Sequence, residues 1–174
     1  MARVPILEKS QINGDLRTIF DKMETRGNRV LNIFKVMAHC PDVGRDLLKL
    51  GNSLLLKGKL DSKLRELAIL RVGHLAKAHY EWTQHVAVAK RVGVPEVQIS
   101  ALPEWRDSEQ FNALEQTILQ YTDEVAENIR VSEETFQKLK ALLTDEQIVE
   151  LTTVIGYYGM VSRILEALQV ELEL

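Results

Sequence analysis

Along nearly the whole chain the apolar residues return after three or four positions, and nowhere do they alternate strictly with polar ones. That spacing lines side chains along one stripe of an α-helix, whereas a half-buried strand needs a period of two. The expected fold class is therefore all-α. The run after Asp145 shows it most clearly, because Ile148, Leu151, Ile155, Tyr158, Val161, Leu165 and Leu168 fall on a single stripe. Such a stripe belongs in a core or at a subunit interface.

Local signals punctuate this pattern. A first amphipathic helix is expected from Asp15 to about Arg26, and a second, short one in "VLNIFKVMA", ended by "HCPDV" because the residue before a proline avoids the helical region. Pro41 suits the first turn of a helix reaching about Lys57, where "KGKLD" breaks it with Gly58. Asp61 then offers an N-cap for "SKLRELAILRVGHLAKA", and "YEWTQHVAVAKRV" follows with Gly93 as its C-cap. "VPEVQISAL" reads as a short helix behind Pro95. Asp107 with Gln110 is expected to open a helix to about Asn128, Ser132 to cap another, and Thr144 with Gln147 to open the last. The 174 residues suffice for one domain with a real core, and no linker or repeat divides them, so one domain spanning 1–174 is expected.

The 22 basic and 25 acidic residues are interspersed and give a formal net charge of −3, without the basic patch that nucleic acid or an anionic membrane requires. A small molecule or a protein is the expected partner, with no nucleic acid and no membrane. "MARVPILEKSQ" lacks the apolar core of a signal peptide and no uninterrupted apolar run reaches the length of a bilayer, so a cytoplasmic location is expected. Cys40 is the only cysteine, which rules out an intrachain disulfide or CxxC pair. It is expected to be a small buried hydrophobe beside Pro41.

In "YEWTQH", Glu81 and His85 lie one helical turn apart, at the polar end of a face that continues through Val88, Ala89 and Val92. Three readings are open for the pair: a surface ion pair, a core histidine held by a carboxylate, or an acid/base pair lining a pocket. Glu66 interrupts the preceding apolar helix, nineteen positions earlier. His74 and His79 lie near the turn between the two helices and extend the list of conceivable metal ligands. The spacing, however, matches neither HExxH nor the Glu-x-x-His of helical di-iron sites, so no metal is expected. Trp82 and Trp105 are expected to pack, and Tyr158 to form a pocket wall or a subunit contact.

The segment "RELAILRVGHLAKAHYEWTQHVAVAKRVGV", within a core of about residues 40–102, resembles the carboxymuconolactone decarboxylase superfamily, which includes the AhpD-like peroxidases. The resemblance implies an all-helical, AhpD-like protein that assembles as a homo-oligomer, a trimer or hexamer, with its site beside this helix pair and no organic or metal cofactor. The peroxidase branch carries a glutamate where this chain has Glu66, cysteines where it has Ala78 and Glu81, and a histidine where it has His85. Without those thiols the disulfide chemistry has no nucleophile here. The decarboxylase branch has a glutamate four residues before the histidine, as Glu81 stands before His85. On that basis Glu66, Glu81 and His85 are the expected catalytic residues of a lyase acting on a small carboxylated lactone in aromatic compound catabolism. Arg71, Arg163 or a neighbouring subunit would supply the cation that such an acid needs. The rival readings are a non-catalytic oligomeric binding protein and a residual peroxidase or antioxidant role.

Overall fold

The structure, a computed structural model, describes residues 2–173. Among these residues regular structure is helical, with no strand: α1 (Gly14–Thr25), α2 (Asn32–Met37), α3 (Pro41–Leu56), α4 (Ser62–Leu75), α5 (His79–Val92), α6 (Glu96–Ala101), α7 (Ala113–Asp123), α8 (Glu133–Lys140) and α9 (Asp145–Leu168). The chain divides into two compact units, one of residues 1–56 with 165–174 and the other of residues 57–164.

In the first unit α1 buries Leu16 and Phe20, four positions apart, and these join Ile12, Val30, Ala38 and Leu48 in one apolar cluster. The tail is tied in by polar bonds, with Arg3 N–H donating to Leu168 O at 2.8 Å and Asn32 Nδ2 to Glu171 O at 3.0 Å. Gly44 marks where α3 crosses α2, since a Cβ there would meet Met37 O at 2.8 Å. Cys40 is exposed, contrary to the expectation of a buried thiol. It occupies the sharp junction between α2 and α3, where its N–H caps Met37 O at 3.0 Å and the side chain is left outside.

The second unit is built around α4, which is buried at every position from Leu64 to Gly73. Asp61 caps it through its side chain, accepting from Lys63 N at 2.9 Å and Leu64 N at 3.3 Å. Leu67 and Leu70 pack with Ala89, Ile99, Leu102, Trp105 and Leu119. The other expected caps also form, at Gly93 with φ 92, at Ser132 and at Thr144. One start is displaced. Leu102–Asp107 is a 3₁₀ turn followed by extended Ser108, so Asp107 ends an element instead of opening one. Asn112 and Glu115 form the capping box of α7, with Glu115 N–H to Asn112 Oδ1 at 3.0 Å and Asn112 N–H to Glu115 Oε2 at 2.9 Å. Regular α geometry ends at Asp123, and a single π-turn, Glu124–Asn128, carries the chain to the expected endpoint.

α9 is the one helix among the described residues long and apolar enough to cross a membrane by length and composition, yet half of its apolar window is buried inside the protein. Its expected stripe faces inward, with Ile148, Leu151, Ile155, Tyr158, Val161 and Leu165 buried. On the same helix Glu150 clasps the turn before α4: its Oε2 accepts from Lys59 N at 2.7 Å and Leu60 N at 3.0 Å. Gly58 makes room for this clasp, because a Cβ there would fall 1.7 Å from Glu150 Oε1.

Gly58→Ala should therefore cost about 1–3 kcal/mol, the worth of hydrogen bonds to a charged carboxylate. In a Glu150→Ala background that cost should vanish, and a denaturant titration giving additive losses for the two substitutions would disprove the clasp.

Candidate active site

α4 and α5 are joined by a tight reversal. Ala78 N–H donates to Gly73 O at 2.9 Å and Lys77 N–H to His74 O at 3.0 Å, while Lys77 takes the left-handed backbone, φ 53, at a position that glycine usually fills. The helices then run antiparallel. Gly73 faces the first turn of α5 at contact distance: a Cβ there would lie 3.5 Å from Trp82 N and 3.6 Å from Glu81 Cγ. Two turns back along α4, Glu66 meets the second turn of α5.

At that level the three expected residues come together. Glu66 is fully buried, and its Oε2 accepts from His85 Nδ1 at 2.7 Å. His85 Nε2 stands 3.1 Å from Glu81 Oε1, an ion-pair distance, but that oxygen has no hydrogen-bond partner because the approach is poorly aligned. Burial pulls the imidazole toward its neutral form, and the bond to Glu66 and the pairing with Glu81 outweigh it, raising the His85 pKa to about 9. The ring is an imidazolium at neutral pH, with Nδ1–H committed to Glu66 and Nε2–H only loosely held.

Tyr158 completes the wall. Its ring lies 4.7 Å from that of His85 at 80°, and Tyr157 meets Tyr158 at 5.0 Å and 81°. Burial and the Glu81 charge push the Tyr157 hydroxyl up to about 12, and burial with the Glu81 and Glu66 charges raises Tyr158 as well. Both phenols stay neutral wherever His85 is charged. The side chain that sequence reasoning missed is Arg65, buried with its Nε 3.4 Å from Glu66 Oε1. The face logic of three and four could not select it, since residue 65 points about 100° away from residue 66. It is buried because α4 has no solvent face.

The other candidates lie elsewhere. Arg71 pairs with Asp123 through Nε at 2.6 Å and Nη2 at 3.2 Å and caps Leu102 O and Pro103 O at 3.2 and 2.9 Å. Arg163 donates to Gly159 O at 2.7 Å on an exposed face. His74 meets Trp82 edge to face at 6.1 Å, its pKa lowered by burial and by Arg71, and His79 is exposed. These two histidines rim a depression of about 250 Å³ with Gly73, Lys77, Ala78 and Trp82. A second depression of about 330 Å³ lies between Trp105, Gln116, Gln120 and Lys138. Among the described residues no group of three or more His, Cys, Asp or Glu is placed to hold a metal ion.

Comparison with solved structures gives the fold its relatives. An AhpD-core, uncharacterised peroxidase-related protein from Ralstonia eutropha JMP134 superposes with a TM-score of 0.86 at 20% identity, over 99% of this chain and 92% of that one. A peroxidase-related protein from Silicibacter sp. TM1040 gives 0.84 at 17% identity, over 98% and 90%. The debrominase Bmp8 with bound 2,3,4-tribromopyrrole gives 0.82 at 20% identity, over 98% and 91%. A search of curated proteins finds no match. At these identities the superpositions establish the AhpD-like helical fold. Residues 41–124, which include α4, α5 and the trio of Glu66, Glu81 and His85, match the model of the carboxymuconolactone decarboxylase family.

Proposed function

We propose that the chain is a cofactor-independent lyase that removes carbon dioxide from a small carboxylated lactone or a related acid by acid/base chemistry. The observation that carries this reading is the buried imidazolium between two carboxylates, with one N–H fixed by Glu66 at 2.7 Å and the other facing Glu81 without a linear bond. A group so arranged is a proton donor.

In the reaction the bond between the substrate carbon and its carboxylate breaks, carbon dioxide leaves, and the electron pair passes through the unsaturated lactone to a remote carbon. That carbon takes the proton from His85 Nε2. A solvent proton restores the imidazolium by way of Glu81, so each turnover consumes one proton and releases one carbon dioxide. Glu66 keeps Nδ1–H in place throughout and stabilises the charged ring between turnovers.

A thiol mechanism has no support in this chain. By the resemblance, Ala78 and Glu81 stand where AhpD-like peroxidases carry cysteines, and the one thiol, Cys40, belongs to the first unit. Cys40→Ser should leave turnover unchanged, and loss of a robust hydroperoxide reductase activity in that variant would reverse the assignment.

His85→Gln keeps most of the volume and a donor but has no comparable acidity. It should remain folded and lose turnover of carboxylated lactones by about a hundredfold or more; full turnover in the folded variant would end the mechanism. Charge linkage gives an independent check. An unfolded histidine titrates near about pH 6.5, so stability from the paired imidazolium is complete below that pH and is lost as pH rises through about 9. Across that window the Tm of the wild type should fall more steeply than that of His85→Gln, and parallel curves would mean that the ring is not held charged.

A further inference from the structure

The two buried arginines of α4 are treated very differently. Arg71 spends its whole fork, with two bonds to Asp123 and two to main-chain carbonyls. Arg65 has a side chain only 7% exposed and makes one long bond, from Nε to Glu66 Oε1 at 3.4 Å. Its terminal amino groups have no acceptor among the described residues and are not among the buried unpartnered atoms, so the end of the fork keeps contact with solvent. Burying a guanidinium is costly unless its donors are used. Arg71 is accounted for by the fold; the fork of Arg65 is left open where its residual exposure lies.

Its surroundings say what is missing. Glu66 bridges the guanidinium through Oε1 and the imidazole through Oε2, so Arg65 and His85 are held on the two oxygens of one carboxylate. With His85 protonated, Arg65, Glu66, Glu81 and His85 sum to zero charge, and an incoming anion meets no net repulsion. Arg65, Glu81 and His85 keep 7%, 5% and 10% of their side-chain surface while Glu66 keeps none, so what exposure the cluster has belongs to those three. A planar fork with two unused N–H groups fits a carboxylate in bidentate geometry.

We propose that Arg65 is the carboxylate-binding residue of this site, holding a planar organic acid against the imidazole of His85. This rests on the lyase reading for its consequence in catalysis and on Arg65 alone for binding. The carboxylate it holds is one that the substrate retains, because an ion pair to the departing carboxylate would stabilise the ground state more than the transition state.

Furoate, a five-membered unsaturated ring acid, and its uncharged methyl ester test the clamp by calorimetry together with side-chain arginine NMR. Furoate should bind saturably and shift the Arg65 Nε–H resonance, with the ester weaker by about tenfold or more. Arg65→Lys, which keeps the charge and loses the fork, should weaken furoate by a similar factor, Arg65→Gln should weaken it further, and Arg163→Gln should leave it unchanged. Equal binding of acid and ester, equal binding by folded Arg65→Lys and wild type, or no furoate binding at millimolar concentration each overturns the proposal. The acid–ester comparison needs no variant, so it decides even if Arg65→Gln fails to fold. Lactone turnover separates the two readings: a raised KM with little change in kcat in Arg65→Lys supports the clamp, and an unchanged KM overturns it while the lyase survives. Arg65-dependent furoate binding with no turnover of any lactone supports the clamp and removes the lyase.

Discussion

The hydrogen bond between Glu66 and His85 is the constraint on which the second unit depends. Glu66 has no solvent exposure, and α4 is buried on all sides over ten successive residues, so its carboxylate sits out of contact with water. Such a charge is tolerable only when paired, and removing the partner of a buried charge typically costs roughly 3–5 kcal/mol. The 2.7 Å bond thus fixes how far α5 can slide along α4. The reversal at Lys77 and the bare surface of Gly73 let α5 return at that distance. The site is therefore part of the core, and its geometry is held by the same packing that holds the fold.

A second polar centre in the same unit shows what a purely structural network looks like. Asp123 accepts from Arg71, from Trp105 Nε1 at 3.1 Å and from Arg106 Nη1 at 2.6 Å, and all three nitrogens of Arg71 are engaged. That satisfied hub joins α7 to α4 and to the turn after α6. Around His85 the network is looser, with Glu81 Oε1 facing Nε2 at 3.1 Å without an aligned hydrogen bond and Arg65 making only its long bond to Glu66. Buried polar groups left short of partners are costly, and the proposed ligand carboxylate would supply acceptors for the open fork.

Much of this was legible in the sequence, for identifiable reasons. Helix class and most boundaries follow from the three-and-four spacing and from short-range caps, each set by a few adjacent residues. The meeting of Glu66, Glu81 and His85 was legible because a carboxylate breaking an apolar helix and a histidine one turn from another carboxylate are both conspicuous. Asp107 misled because capping composition is common, and only the extended backbone at Ser108 shows that a 3₁₀ turn claimed it first. Cys40 misled because burial was inferred from residue type, whereas the corner between α2 and α3 turns the side chain outward. Arg65 was invisible for a deeper reason: an arginine in a helix ordinarily finds solvent, and its burial depends on elements far along the chain that close over α4.

The substitution of Glu81 for a thiol changes what the histidine can do. A thiol site needs a histidine that takes a proton, so that a thiolate forms beside an imidazolium. Here one carboxylate holds Nδ1–H and another faces Nε2, and the pair raises the ring pKa to about 9 against the opposing effect of burial. A ring that keeps its proton at neutral pH is a weak base and a ready acid. On the proposed reading, a fixed negative charge one turn away in place of an ionisable thiol favours proton delivery from the histidine over proton uptake. The neutral phenol of Tyr158 against the ring leaves that charge balance untouched. A helix pair that holds an imidazole between two carboxylates is suited to proton delivery, and on the proposed reading the side chain at position 81 sets that choice.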